Sequence, residues 1–172
     1  VERNFTDSVE IIGFDAFYPY NHIIQIHLPD SVTEIAEDAF DMCSDLESIQ
    51  LPPKLKIISR ATFGGCTSLL KVEMGTSIEK IDEYAFANCY SLERVNLENT
   101  RITVLNSNVF SYTRLRNVVL PDTLRVIETD AFTSCWDLYS ITVCSDDIVF
   151  QHDAFAECDK LRKIIFTKGV PK

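Results

Sequence analysis

The stretch from Ile26 to Leu46, IHLPDSVTEIAEDAFDMCSDL, contains the pattern that decides the fold. The Phe at its centre returns along the whole chain at intervals of 23, 23, 23, 24, 22 and 23 residues. The seven copies are Phe17, Phe40, Phe63, Phe86, Phe110, Phe132 and Phe155. Self-similarity at a fixed period of this size is the signature of a repeat architecture.

Other positions keep the same period around this Phe. A Cys follows it by three residues in five units, a Leu or Ile follows it by six residues in six units, and an Ile, Leu or Phe precedes it by five residues in all seven. One unit is too small to bury its own apolar side, so neighbouring units must share a continuous core. The sequence therefore predicts a solenoid of about seven 23-residue repeats.

Within a unit, the pattern predicts two short strands and one helical turn. Residues 49–51 alternate in polarity and end at Pro52, which cannot donate to a strand ladder. Residues 39–43 carry apolar side chains at the spacing of one helical turn. Residues 31–35 are rich in β-branched side chains and form the second short strand. The expected fold class is α/β, with equivalent strands stacked in a parallel sheet.

The fifth unit departs from the period. One extra residue at 98–102 and one missing residue before Leu115 explain the intervals of 24 and 22. This alignment places Tyr112 in the Cys position of its unit. We expect a bulged loop at residues 98–101, a tightened turn at residues 111–114, and an unbroken sheet.

The run Ile-x-Leu-Pro-x-x-Val-x-x-Ile-x-x-x-Ala-Phe-x-x-Cys-x-x-Leu, clearest from Ile26 to Leu46, resembles the BspA-like, or Treponema-type, leucine-rich repeat. The resemblance extends over essentially the whole chain. It implies a right-handed solenoid with its parallel sheet on the concave side. It also implies a non-enzymatic, protein-binding role in adhesion and a cell-surface or secreted location, although a cytoplasmic location is compatible with the residues. The family has no catalytic motif to carry over.

Charge and composition argue against several functions. The chain has 16 basic and 26 acidic residues, a net charge of -10, whereas a nucleic-acid partner requires a basic surface. No apolar run approaches the roughly 20 residues that span a bilayer, so membrane insertion is not expected. Glycine-rich phosphate loops and G-x-S-x-G or H-E-x-x-H motifs are absent from the sequence, so no catalytic residue or cofactor is expected. His22 and His27 have no Cys or carboxylate at metal-ligand spacing, so no metal is expected either.

The six Cys residues would suggest a disulfide framework in a short secreted chain. Five of them, however, occupy one inward-facing position of successive units. Side chains stacked in parallel point the same way rather than at each other, and free Cys packs as a small apolar residue. We therefore expect buried free thiols, and we expect Cys144, which replaces a strand-ending Pro, to be the accessible one.

Both termini fall inside a repeat. Residues 5–9 align with residues 28–32, and residues 166–170 have the same phase. The expectation is a single array over residues 1–172 that is a slice of a longer array, because an uncapped solenoid exposes its core. The alternative is that short irregular ends, alone or together with dimerisation, cover the exposed core, and the oligomeric state stays open. The triplet Asn4-Phe5-Thr6 is an N-glycosylation sequon and weak support for a secretory route.

A protein ligand is expected on the concave face, where strand side chains point away from the core. The position eight residues after the Phe carries the cations Lys71, Arg94 and Lys163 and no acid, and the position ten residues after it turns apolar in the last units. Residues 87–172 also have 10 basic and 11 acidic residues, net -1, against 6 and 15, net -9, for residues 1–86. The candidate partner-binding residues are Arg94, Arg116, Asn117, Val119, Tyr139, Ser140, Arg162, Lys163 and Ile165.

Two other functions fit the same pattern. The array could be a structural spacer that carries other domains, in which case no face should be preferred. It could also present a carbohydrate-binding surface, which would need aromatic platforms on the strands. Only Tyr139 flanks the two strand positions, which makes the carbohydrate reading the weaker one.

Overall fold

The chain forms a parallel β-solenoid of about seven turns of roughly 23 residues, with almost no helix. The computed structural model describes residues 3–4 and 8–167. Phe5 and Thr6 of the sequon, and much of the two terminal segments whose alignment predicts a longer array, lie outside the described residues. The predicted repeat architecture is confirmed.

Each unit contributes one short strand to each of two faces. In chain order the strands are β1 (Arg3–Asn4), β2 (Ile11–Ile12), β3 (Ile26–His27), β4 (Glu34–Ile35), β5 (Ser48–Gln50), β6 (Ile57–Ile58), β7 (Lys71–Glu73), β8 (Lys80–Ile81), β9 (Arg94–Val95), β10 (Val104–Leu105), β11 (Asn117–Val119), β12 (Val126–Ile127), β13 (Ser140–Val143), β14 (Val149–Phe150) and β15 (Lys163–Phe166). Odd-numbered strands pair in parallel on the first face, and even-numbered strands on the second. The outward surface of the odd-numbered strands is the strand face. The predicted second short strands correspond to the even-numbered set.

The third side of each unit is a pair of tight turns around the repeat Phe, where the sequence predicts a helical turn. The amide of Asp41 donates to the carbonyl of Asp38 at 3.0 Å, and that of Cys43 donates to the carbonyl of Phe40 at 3.1 Å. Asp38 and Met42, two residues before and after the Phe, have φ of 56° and 58°. An α-helix cannot continue through positive φ. The described residues contain one 3₁₀ helix, Leu97–Asn99.

The seven repeat Phe rings form one continuous stack through the core. Successive ring centroids lie 4.8–5.6 Å apart with interplanar angles of 5–18°. The five inner rings are completely buried. The amides of the first six Phe residues also donate to the carbonyl of the residue before the next Phe, as in Phe86 to Val109 at 3.0 Å. This Phe ladder runs without interruption from Phe17 to the carbonyl of Ala154.

The repeat Cys residues form a second internal column beside the Phe stack. Each thiol donates to the carbonyl of the Phe in the preceding unit at 3.1–3.2 Å. All six Cys residues are free, four of the five column members are buried, and Cys158 is half-buried, which confirms the predicted core thiols. Burial raises the pKa of the Cys43 thiol to about 11 and also raises the pKa of the Cys66 thiol well above its ordinary value.

The fifth unit corrects one sequence assignment. Thr113, not Tyr112, occupies the Cys position: it is buried, its hydroxyl donates to the carbonyl of Phe110 at 2.9 Å, and its Oγ1 lies 3.2 Å from Cys135 Sγ. Tyr112 points outward with a φ of 59°, as Met42 does in its unit. The missing residue therefore lies after Thr113, within the predicted tightened turn.

The expectation of an unbroken sheet was wrong. On the strand face, β5, β7 and β9 form one sheet and β11, β13 and β15 another. The inserted residue is absorbed in the 3₁₀ helix that follows β9. On the other side of β9, the Asn96 side chain extends the pairing with the third unit: Met74 N donates to its Oδ1 at 2.7 Å, and its Nδ2 donates to Met74 O at 3.1 Å. The break does not divide the chain into two domains, because Phe86 and Phe110 stack across it at 5.4 Å.

Side chains also bridge the breaks on the second face. The sheets there contain β2 and β4, then β6 and β8, then β10, β12 and β14. Ser59 Oγ donates to the carbonyl of Ile35 at 2.7 Å, and Asn106 Nδ2 donates to the carbonyl of Ile81 at 2.6 Å. Short polar side chains thus satisfy carbonyls that the backbone ladder leaves open.

Candidate protein-binding face

All nine candidate residues lie on or beside the strand face of the fourth to seventh units. The period-two geometry of a strand explains their exposure: in β11, Asn117 and Val119 point outward while Val118 is buried in the core. Val118 and its equivalents provide the packing, so the outward side chains are free of it. The sequence phase of these units is therefore correct.

Two rows of outward side chains run across β11, β13 and β15. The first row consists of residues paired in register: Asn117, Ser140 and Lys163. The Ser140 hydroxyl donates to Asn117 Oδ1 at 2.7 Å. Val119, Thr142 and Ile165 form the second row. Val119 and Ile165 are 37% and 44% exposed, so this row presents apolar surface beside the polar row.

A third row precedes these strands and carries the larger side chains. The Tyr139 amide donates to the carbonyl of Arg116 at 2.7 Å, and the Arg162 amide donates to the carbonyl of Tyr139 at 3.0 Å. The Lys163 ammonium lies 5.4 Å from the centroid of the Tyr139 ring, within the range of a cation–π contact. Tyr139 is 44% exposed and sits between two arginines, which is a favourable setting for an interface anchor.

The four cations of the set differ in how freely they can meet a partner. Arg116 forms an exposed ion pair with Glu93 at 3.4 Å, a contact that contributes little and can be exchanged. The Arg162 guanidinium donates to the carbonyls of Asp159 and Leu161 at 2.7 and 3.1 Å, which fixes it against its own turn. Lys163 lies over the Tyr139 ring.

Arg94 stands apart from the other eight residues. It pairs with Lys71 across β7 and β9, and the sheet break separates it from Asn117. Arg94 and Asn117 nevertheless line one shallow depression, together with Lys71 and Glu73. The structure thus brings the candidates together on one surface, in two parts that meet at this depression.

The acid beside this surface is neutralised within the protein. Asp137 accepts from Lys160 Nζ at 2.5 Å and lies 3.9 Å from Arg114 Nε. The hydrogen bond from Lys160 lowers the pKa of the Asp137 carboxyl, so it stays ionised and paired at neutral pH. This surface therefore presents cations, one aromatic ring and aliphatic side chains, and the neighbouring acids Glu73 and Glu93 are likewise ion-paired.

Across residues 8–167, no group of three or more His, Cys, Asp or Glu side chains is arranged to hold a metal ion. In the same part of the chain, no helix has the length and apolar character to cross a bilayer.

Sequence reasoning missed a second set of exposed aromatic residues, on the turn side of the units. Tyr84, Tyr90, Tyr112 and Trp136 are each 39–46% exposed, and the rings of Tyr112 and Trp136 meet edge to face at 5.9 Å. The carbohydrate reading looked for aromatic platforms on the strands, whereas these rings lie at the turns. These four residues could have been found from the sequence, because none of them falls on a core position of the repeat and each has polar neighbours.

Comparison with known proteins agrees with this architecture. The chain matches the family model of the BspA-type leucine-rich-repeat region, with six copies over residues 2–112 and 65–172. It is similar to the solved structure of a leucine-rich repeat protein from Bacteroides ovatus, with 26% identity and a TM-score of 0.75, over 95% of this chain and 48% of that one. It is also similar to a leucine-rich repeat protein of T. pallidum, with 27% identity and a TM-score of 0.71, over 83% of this chain and 69% of that one.

A third similar structure is a leucine-rich cell surface protein of Faecalibacterium prausnitzii, at 24% identity and a TM-score of 0.67, over 95% of this chain and 53% of that one. At this identity the likeness shows the fold alone. The chain spans about half the length of the Bacteroides and Faecalibacterium proteins. A search of curated proteins finds no match.

Proposed function

The chain belongs to the BspA-type leucine-rich-repeat family, and on that basis we propose that it is a non-enzymatic module that binds a protein partner through its strand face. The contact region comprises the nine candidate residues of the fourth to seventh units. A cell-surface or secreted adhesion role is the family-implied setting of this proposal. That the array continues beyond residues 1–172 is likewise a proposal.

One observation carries the proposal: the outward rows combine exposed Tyr139, Val119 and Ile165 with cations that no packing role requires. An apolar centre with a charged rim is the usual anatomy of a protein interface. The cations stand out against a chain of net charge -10, which favours a partner that carries an acidic patch. Such a partner would be steered electrostatically, so its association rate should fall as salt rises.

The test measures binding of the purified chain to a panel of immobilised extracellular host proteins by biolayer interferometry. Tyr139→Ala and Arg94→Ala should each weaken binding to a hit by about 1–2 kcal/mol, roughly 5- to 30-fold in Kd, without unfolding the array. Tyr139 is the aromatic anchor, and Arg94 provides the long-range charge.

The matched controls are Glu37→Ala and Glu83→Ala, which remove exposed charges away from the strand face. They should leave Kd within about twofold. If these two variants abolished binding while the strand-face variants did nothing, the face assignment would be wrong. If none of the four variants changed any interaction, the spacer reading would replace the binding module.

A further inference from the structure

A notch opens on the turn side of the third unit, where a glycine pair replaces larger residues. Gly64 and Gly65 are buried, and the equivalent positions of the second unit hold Asp41 and Met42. A Cβ on Gly64 would lie 2.7 Å from Asp41 Oδ1, and one on Gly65 would lie 2.5 Å from Met42 Sδ. The missing side chains therefore let Asp41 and Met42 lie over the backbone of the third unit. This glycine notch lies apart from the strand face.

The walls of the glycine notch are aromatic. Tyr84 and Tyr90 of the fourth unit line it, and both are exposed. The guanidinium of Arg60 lies 5.5 Å from the centroid of the Tyr84 ring. This contact shows that the Tyr84 ring, one wall of the notch, binds a cation on its face. The flexible thioether of Met42 adds adaptable apolar surface.

The open end of the glycine notch is negative. Burial, and then the nearby carboxylates of Asp38 and Asp15, raise the pKa of the Asp41 carboxyl to about 6. The guanidinium of Arg60 lines the same notch and lies over the Tyr84 ring. Asp41 is thus a half-buried carboxylate beside two other carboxylates.

We propose that the glycine notch binds a lysine or arginine side chain from a basic segment of a partner protein. The carboxylate of Asp41 would pair with the cationic head, while Tyr90 and Met42 would pack against the aliphatic stem. Charge complementarity selects this ligand: an incoming cation relieves the repulsion among Asp41, Asp38 and Asp15, which a neutral ligand cannot do. The proposal is independent of the strand face, whose cations would repel the same segment.

Isothermal titration calorimetry can test this with a seven-residue peptide of alternating glycine and lysine, against the same peptide with glutamine at each lysine. Asp41→Asn should weaken binding of the lysine peptide about tenfold at pH 7.5, because a paired carboxylate is lost. The matched control is Asp146→Asn, which removes the same charge from an exposed site in another turn and should change Kd less than about twofold.

A second variant tests the shape of the notch without changing its charge. Gly65 has a φ of 65°, and its equivalent in the fourth unit is Asn88 with a φ of 60°, so Gly65→Asn keeps a backbone conformation that this position already tolerates with asparagine. The added side chain would fill the notch and should also weaken binding about tenfold. Circular dichroism should show an unchanged fold for this variant.

The pH dependence provides the third readout. Asp41 must be ionised to bind a cation, so the affinity of the wild-type protein should fall as pH drops from 7.5 to 5, through the pKa of about 6. The charged groups around Asp41 are Asp38, Asp15 and the Arg60 guanidinium, which lines the same notch. Asp41→Asn should abolish most of the pH dependence between these two values.

Three results would overturn the proposal. Equal weakening by Asp146→Asn and Asp41→Asn would indicate diffuse charge attraction rather than a site. Equal affinity for the glutamine peptide would indicate a neutral ligand class. Unchanged affinity in Gly65→Asn would show that the notch is not where the peptide binds.

Discussion

Removal of one ring from the middle of the Phe stack tests the principal source of stability in this fold. Phe86 is completely buried and has two stacked neighbours, Phe63 at 5.3 Å and Phe110 at 5.4 Å. Truncation of a buried Phe to Ala costs about 3–5 kcal/mol through lost transfer energy and the cavity left behind. The two ring pairs contribute about 0.5–1.5 kcal/mol each within that figure. Phe86→Ala should therefore lower the free energy of unfolding by about 3–5 kcal/mol.

The matched comparison is Phe155→Ala, at the end of the described stack. Phe155 is half-buried and has one stacked neighbour, Phe132 at 5.4 Å, so its loss should cost roughly half as much. Urea denaturation followed by circular dichroism and by the fluorescence of Trp136, the one tryptophan, measures both values. In a thermal scan the Phe86 variant should melt roughly 6–20 °C lower. Equal costs for the two variants, or a cost below about 0.5 kcal/mol at Phe86, would refute the stacked-core reasoning.

Two further predictions concern groups outside the Phe stack. Native protein should react with a thiol reagent at the two half-buried residues Cys144 and Cys158, because deep burial keeps the other four thiols protonated. Mass spectrometry of the labelled protein locates the adducts. Fast reaction of three or more thiols would contradict the buried column. Asn96→Ala should destabilise the array by about 1–3 kcal/mol, because the backbone of Met74 loses both of its hydrogen-bond partners. The control Glu98→Ala, at an exposed residue of the same segment, should cost less than about 0.5 kcal/mol in the same urea titration.

The periodic columns were readable from the sequence because burial repeats with the unit. Every fully buried ring of the Phe stack was placed correctly, since a residue that faces the shared core must be apolar in each unit. The turn geometry was not readable in the same way. Apolar spacing of three to four residues fits both a helical turn and two successive tight turns, and the positive φ at Asp38 and Met42 decides between them. The recurrent Asp or Asn two residues before the Phe was the local signal, because these residues tolerate that conformation best.

The repeat pattern also could not predict features that occur in one unit only. Alignment by the following Leu assigned Tyr112 to the Cys position, whereas the structure shows that the deletion lies after Thr113. The sheet break between β9 and β11 follows from one inserted residue, and the hydrogen bonds of the Asn96 amide to Met74 beside it also belong to this unit alone. The notch at Gly64 and Gly65 was likewise hidden in the sequence, because it depends on Asp41 and Met42 of the neighbouring unit. The nine strand-face candidates could be located from sequence, because the outward positions of a strand repeat with the unit.

The uninterrupted Phe ladder has a mechanical consequence. Rings along it advance only 4.8–5.6 Å per unit, yet each unit contains about 23 residues of chain. Under a tensile load between the ends, the outermost unit would detach first, because each unit contacts only its neighbours and the outermost unit has one neighbour instead of two. Detachment of that unit would release about 80 Å of extended chain at roughly 3.5 Å per residue, while the remaining stack stays closed. Under tension the array would lengthen in equal steps and keep its unpulled units intact.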